Sequence, residues 1–174
     1  MEFESLTKEN ENEWNEFCLE TDSAWFRHTT HWMKYILDCR IDSNSENLSF
    51  LVRQNKKIVA VVPLISQYIY GEENHDEFAN YDTPIPIFAI KNDNTDVDRG
   101  RLHKHIVKYI EQIREEKSIK RGKFFIDPLI DTDIYNNFDD FNFLSSNFMV
   151  DIKTTTIIDL TIGKDAILHH MRKG

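Results

Sequence analysis

The sequence predicts a single α/β (α+β) domain with a mixed, mostly antiparallel central sheet flanked by helices. Three observations carry that expectation. In residues 48–65, LSFLVRQNKKIVAVVPLI, two apolar runs flank the polar tetrapeptide Gln54-Asn55-Lys56-Lys57, which is the pattern of an antiparallel hairpin. Leu102, Ile106, Tyr109, Ile110 and Ile113 recur at helical spacing and are followed by the short apolar stretch KFFID, a helix-to-strand step typical of layered α/β structure. Residues 148–160, FMVDIKTTTIIDL, are rich in β-branched side chains and predict one or two closing strands.

Along the chain, residues 10–20 form a short amphipathic helix in which Asn10 and Glu13 are spaced as a capping box and Trp14, Phe17 and Cys18 share one face. After the break at Thr21-Asp22-Ser23, a second helix begins at Thr29 or Thr30, with Trp32, Tyr35, Ile36 and Cys39 on its apolar stripe. Both cysteines then face the core, where a thiol behaves as a small inert hydrophobe. In the hairpin, Leu48, Phe50 and Val52 point one way and Ser49, Leu51 and Arg53 the other, whereas residues 58–62 are apolar on both faces. That is the signature of a central strand covered on both sides. Pro63 cannot donate to a ladder and marks an edge or bulge where pairing stops on one side.

The second strand is expected to continue through Ser66-Gln67-Tyr68-Ile69-Tyr70, before Gly71 and an acidic loop over 72–77. Pro84 and Pro86 keep residues 85–90 extended as an irregular entry into another strand, which places Tyr81 and Asp82 in a loop at a strand end. A polar loop over 92–98 precedes the long helix, whose helical spacing runs to Lys117 and which is expected to end near Gly122. The strand over 123–127 is stopped by Pro128, and a further helix is expected over 131–147. Residues 161–174 read as the first turns of another helix.

With 174 residues, 40% of them hydrophobic and 29% charged, the chain can bury a core without disulfides. A net charge of −9 argues against DNA as a partner, since phosphate binding requires a basic surface. The lysines and arginines of 99–123 interleave with Glu111, Glu115 and Glu116 at helical spacing, the pattern of a solvated helix face. No apolar run reaches the roughly 20 residues of a membrane span, no signal peptide is expected, and Cys18 and Cys39 lack metal or redox spacing, so a cytoplasmic location is expected. His103 and His105 point in opposed directions on a helix, and His28 and His31 lack a carboxylate pair, so no metal is expected. The five glycines, at 71, 100, 122, 163 and 174, are not clustered into a phosphate cradle.

Trp14, the segment AWFRHTTHW over 24–32, the hairpin ending VVPLI, and TTTIIDLTIGKDAILHHMRKG over 154–174, taken in this order, resemble the N-terminal half of FemAB-like (Fem-type) acyl- and aminoacyltransferases. Those proteins pair two GNAT-like domains. The resemblance implies a GNAT-like domain over residues 1–160, with 161–174 opening the helix that leads to a second domain. It further implies transfer of an acyl or aminoacyl group from a carrier to an amine or hydroxyl acceptor, either a small molecule or a cell-envelope precursor. No cofactor is expected on this chain; acyl-CoA or aminoacyl-tRNA would serve the complete protein. The partner implied is a second GNAT-like domain or partner chain, without which the domain is not expected to act. Asn55 and Ala60 stand where glycines are common in that pattern. On this reading Tyr81 and Asp82 line the acceptor cleft, and Arg172 and Lys173 meet an anionic substrate. Asp82 is given a binding role, because a carboxylate with a pKa of about 4 is a poor general base. Two alternatives are a non-catalytic interaction module on a GNAT-like scaffold and a complete single-domain N-acetyltransferase.

Overall fold

The computed structural model describes residues 1–38, 44–69, 75–78, 85–91, 96–125 and 163–164. Met1–Leu144 forms one compact unit and Ser145–Gly174 a second, of which the described residues are Gly163, at φ +85, and Lys164. In chain order the elements are β1 (Glu2–Ser5), α1 (Glu11–Glu20), a 3-10 turn (Phe26–His28), α2 (Thr30–Asp38), β2 (Glu46–Asn47), β3 (Phe50–Gln54) and β4 (Lys57–Val62). They continue as β5 (Ile65–Ile69), β6 (His75–Phe78), β7 (Ile85–Pro86), β8 (Ala89–Ile90), α3 (Asp96–Glu116), β9 (Arg121–Gly122) and β10 (Phe124–Phe125). The strands form an antiparallel sheet β1-β3-β4-β8, a mixed sheet β2-β5-β6-β9 and a parallel pair β7-β10.

The hairpin holds, with a tighter turn than the polar tetrapeptide suggests. Asn55 and Lys56 form its two-residue connection, both with positive φ, 51° and 65°, as a turn matched to the right-handed twist of the strands requires. Val52 opposes Ala60 and Arg53 opposes Ile58, so Val59 is an extra residue that bulges β4. The bulge puts Val59 and Ala60 in the same core, with Val61 facing the other. On one face, Leu51 and Val61 pack against Trp14, Phe17 and Cys18 of α1 and Met33 of α2. On the other, Phe50, Val52, Ala60 and Val62 pack with Leu102, Ile106, Val107 and Ile110 of α3. The central strand is therefore covered by helices on both sides, as its apolar run predicts.

At Pro63 the hairpin changes sheets. Phe50 pairs with Val62 and Asn47 with Ile65 in one continuous register, but β5 is a separate strand in the β2-β5-β6-β9 sheet. Ser49 bridges the interruption: its hydroxyl accepts a hydrogen bond from the Leu64 N–H at 2.9 Å, while Leu48 N–H donates to the Leu64 carbonyl at 2.8 Å. A side chain thus satisfies a buried amide that the broken ladder leaves over.

Several expectations are corrected. Asn10 does not cap α1 through its side chain. Its amide turns back to the β1 end, where Oδ1 accepts from Thr7 N–H and Nδ2 donates to Glu4 and to the Ser5 carbonyl. In α2 the core-facing residues are Thr30 and Met33, with Ile36 and Leu37 packed against the core, whereas Tyr35 is exposed and Trp32 belongs to a surface cluster. Helix periodicity gives a stripe but not which side meets the sheet. Residues 75–77, expected as acidic loop, belong to β6, where Glu77 is fully buried. The long helix starts earlier than its apolar stripe, at Asp96, and ends at Glu116. Its end is a Schellman-type arrangement: Ser118 has φ 56°, Ser118 N–H bonds to Glu115 O, Ile119 N–H bonds to Arg114 O, and Ile119 is buried. Gly122 lies in the following strand segment, where an added Cβ would come within 2.8 Å of Phe124 and 3.2 Å of Phe78. The Arg114–Glu111 pair at 2.6 Å and the exposed Lys104 and Lys108 fit the expected solvated helix face. Cys39, the helix over 131–147, the strands over 148–160 and the remainder of 161–174 lie outside the described residues.

Of the three side-chain-bearing residues with positive φ among the described residues, Asn55 tolerates the left-handed region, whereas Lys56 and Ser118 carry strain that glycine would remove. Lys56→Gly and Ser118→Gly are each expected to raise stability by about 0.5–1 kcal/mol, read as a higher urea midpoint at unchanged slope; a lower midpoint for both would contradict the turn assignments.

Candidate functional site

The connection between α1 and α2 is tied down by buried side-chain hydrogen bonds. Ser23 Oγ accepts from the Ile90 N–H at 2.8 Å and donates to the Ile90 carbonyl at 2.6 Å, docking the connection onto β8. Trp14 Nε1 donates to the His28 carbonyl at 2.7 Å. The fully buried His28 ring accepts from Trp25 N–H at Nδ1, 3.0 Å away, which leaves the proton on Nε2 to donate to the Ile87 carbonyl at 2.7 Å. Thr29 Oγ1 accepts from Trp32 N–H at 3.3 Å as the cap of α2 and donates to the Phe26 carbonyl at 2.6 Å. Asn15 of α1 completes the frame, its Oδ1 accepting from Thr30 N–H and its Nδ2 donating to Thr30 Oγ1.

This frame holds a cluster of rings around one guanidinium. Phe26 packs edge-on against Trp25 at 4.3 Å and Trp32 at 5.1 Å, and Trp32 lies 5.3 Å from Tyr35. Arg27 Cζ sits 5.1 Å from the Phe125 ring centroid, 5.5 Å from those of Trp25 and Trp32, and 5.9 Å from that of Phe26. Such contacts are worth about 0.5–2 kcal/mol each, more where water is excluded. Phe125 arrives from β10, whose carbonyl accepts from Ile87 N–H at 3.0 Å, so His28 and Phe125 both anchor at Ile87. Two nitrogens in the cluster, Arg27 Nε and Trp32 Nε1, are buried without a hydrogen-bond partner among the described residues. Among the described residues no carboxylate forms an ion pair with Arg27. Phe26 and Tyr35 are 45% and 56% exposed, so the cluster borders solvent.

The arrangement is suited to binding and orientation. Among the described residues, Cys18 and His28 are structurally committed: burial pushes the Cys18 thiol up to about 12, and both nitrogens of His28 are engaged. Glu77 is fully buried between Arg121, at 2.5 Å, and Lys123, at 3.2 Å. Burial alone would raise its carboxyl, but the hydrogen bonds from Arg121 and then Lys123, with their charges, hold it below its ordinary value. Glu77 also faces Arg121 in the parallel β6-β9 register, so its role is to join those strands. Among the described residues no group of three or more His, Cys, Asp or Glu side chains could hold a metal ion, and no helix is long and apolar enough to cross a membrane.

Tyr81, Asp82, Arg172 and Lys173, the site residues expected from sequence, all lie outside the described residues. The Arg27 cluster was not singled out as a site from sequence, although its core falls in the segment AWFRHTTHW that carries the resemblance. The available signal was the density of aromatic residues around one arginine between two helices.

No protein-family model and no curated protein matches the chain. Among solved structures, the chain is similar to a ribosomal-protein-alanine N-acetyltransferase from Brucella melitensis biovar Abortus 2308, with 10% identity, 91% of this chain and 99% of that chain covered, and a TM-score of 0.47. It is also similar to an aminoglycoside antibiotic 6'-N-acetyltransferase from Acinetobacter haemolyticus, with 12% identity, 91% and 98% coverage, and a TM-score of 0.48. A possible acetyltransferase from Clostridium difficile 630 matches at 11% identity, 91% and 98% coverage, and a TM-score of 0.47.

Because the Glu77 carboxyl is held below its ordinary value of 4.5, its stabilising contribution is fully present above that pH and is lost as pH falls through the lowered value. Glu77→Gln is expected to cost about 1–3 kcal/mol at neutral pH and to flatten the acid limb of the melting-temperature profile. An acid limb as steep as in the unmodified chain would remove Glu77 from that role.

Proposed function

We propose that the chain is an acyltransferase domain of the FemAB-like kind that binds and orients the acceptor amine or hydroxyl, while a second GNAT-like domain or partner chain presents the acyl or aminoacyl group. The observation that carries this reading is the anchored Trp25-to-Trp32 segment. Where the sequence resembles those transferases, the Trp14 side chain of α1 bonds to the His28 carbonyl, Ser23 and His28 bond to the backbone of Ile90 and Ile87, and the segment so held presents a guanidinium framed by rings. Orientation of an acceptor can supply about 7–11 kcal/mol of an acyl-transfer barrier, and a rigid frame of this sort is how a fold provides it. In this reading Tyr81 and Asp82 are proposed to line the acceptor cleft, and Arg172 and Lys173 are proposed for an anionic substrate. The carrier, acyl-CoA or aminoacyl-tRNA, is assigned to the partner, because residues 91–96, which enter α3, contain no glycine to bring backbone N–H groups against a pyrophosphate.

Calorimetric titration of the chain with acetyl-CoA is expected to give a dissociation constant of about 1 mM or weaker, a binding free energy near −4 kcal/mol. Micromolar affinity would overturn this assignment in favour of a complete single-domain N-acetyltransferase.

A further inference from the structure

Arg27 Nε and Trp32 Nε1 can only donate hydrogen bonds, and both are buried without an acceptor among the described residues. A buried unsatisfied donor ordinarily costs about 1–3 kcal/mol, and here two occur around one guanidinium whose Cζ is 5.5 Å from the Trp32 ring. The surrounding backbone cannot readily relax to satisfy them, because the Trp25 N–H, the Trp32 N–H and the Phe26 carbonyl are already bonded to His28 and Thr29 side chains. The rings around the guanidinium supply apolar contact but no acceptor oxygen. A planar forked cation with unused donors matches one chemical partner above others, an oxyanion, whose paired oxygens accept from the guanidinium fork.

We propose that Arg27 and Trp32 form a binding site for an oxyanion group, a carboxylate or a phosphate, on the molecule this domain receives. The Phe26 ring, 45% exposed and edge-on to Trp25 and Trp32, places the cluster at the solvent boundary from which the anion enters. The identity of that molecule as the acceptor rests on the acyl-transfer reading; the oxyanion site itself is measured with no acyl donor present, so either can fail alone.

Trp25 and Trp32 provide the readout, since the third tryptophan, Trp14, is in the core. The intact chain is titrated, with tryptophan emission recorded, against inorganic phosphate, an N-acetylated dipeptide with a free C-terminal carboxylate, and the same dipeptide amidated. Saturable change with phosphate, with the free carboxylate, or with both, and none with the amide, is expected; which anion saturates identifies the source. Arg27→Gln should abolish the response. Arg27→Lys, which keeps the charge but loses the fork, should weaken it about tenfold, as should Trp32→Phe, which keeps a ring but deletes the N–H. Trp32→Phe, removing a buried donor that has no partner among the described residues, should not lower the melting temperature, so its loss of binding is separable from misfolding. Absence of saturation with both anions, or saturation that survives both Arg27→Gln and Trp32→Phe, overturns the proposal.

Discussion

Because β4 carries apolar side chains on both faces, it is stable only where each face is covered, and the unit is arranged to provide that cover. Helices α1 and α2 bury Val61 and Leu51 from one side, and α3 buries Ala60 and Val62 from the other. Fully burying a side chain of this size contributes roughly 1.5–3 kcal/mol, so uncovering either face would forfeit several such contributions at once. The bulge at Val59 decides which residue faces which core, since one extra residue reverses the alternation beyond it. Pro63 and Ser49 set where this sheet ends: proline removes a ladder amide donor, and the serine hydroxyl takes up the neighbouring amide as the chain enters the second sheet.

The candidate site depends on the same arrangement. Trp14 reaches the His28 carbonyl from α1, a helix held by the β4 core, and Ser23 docks on Ile90, a residue paired with Ala60 of β4. The ring cluster is therefore fastened to the central sheet through hydrogen bonds in a dry environment, where their loss is most costly. That is the physical distinction between this cluster and scattered surface aromatics, which need no explanation. Its guanidinium is held by ring faces alone among the described residues, an interaction that positions the cation without consuming its donors.

Much of the scaffold was legible in the chain. The two-sided apolar run of β4, the Asn55 turn, the α1 stripe of Trp14, Phe17 and Cys18 and the α3 stripe all record periodicities that local geometry imposes. The site was legible only as a segment. AWFRHTTHW stands out by composition, but nothing local separates His28, whose ring is spent on Trp25 and Ile87, from Arg27, whose Nε is unpaired. The ring contributed by Phe125 comes from a strand far along the chain, and its approach to Arg27 depends on the parallel β7-β10 pairing.

By itself, the sequence determined the element types wherever side-chain period and backbone preference agree, because both act within a few residues. Tertiary structure alone decided which face of α2 is core, why Asn10 turns toward Glu4 in place of capping its helix, and how an acidic stretch becomes strand β6. For α2 and β6 the deciding partners are distant in sequence, whereas Asn10 turns to Thr7, Glu4 and Ser5, near neighbours whose side-chain competition with the helix cap no periodicity records. Glu77 reads as loop until Arg121 and Lys123 lie beside it, since their hydrogen bonds and charges offset the cost of removing its carboxylate from water.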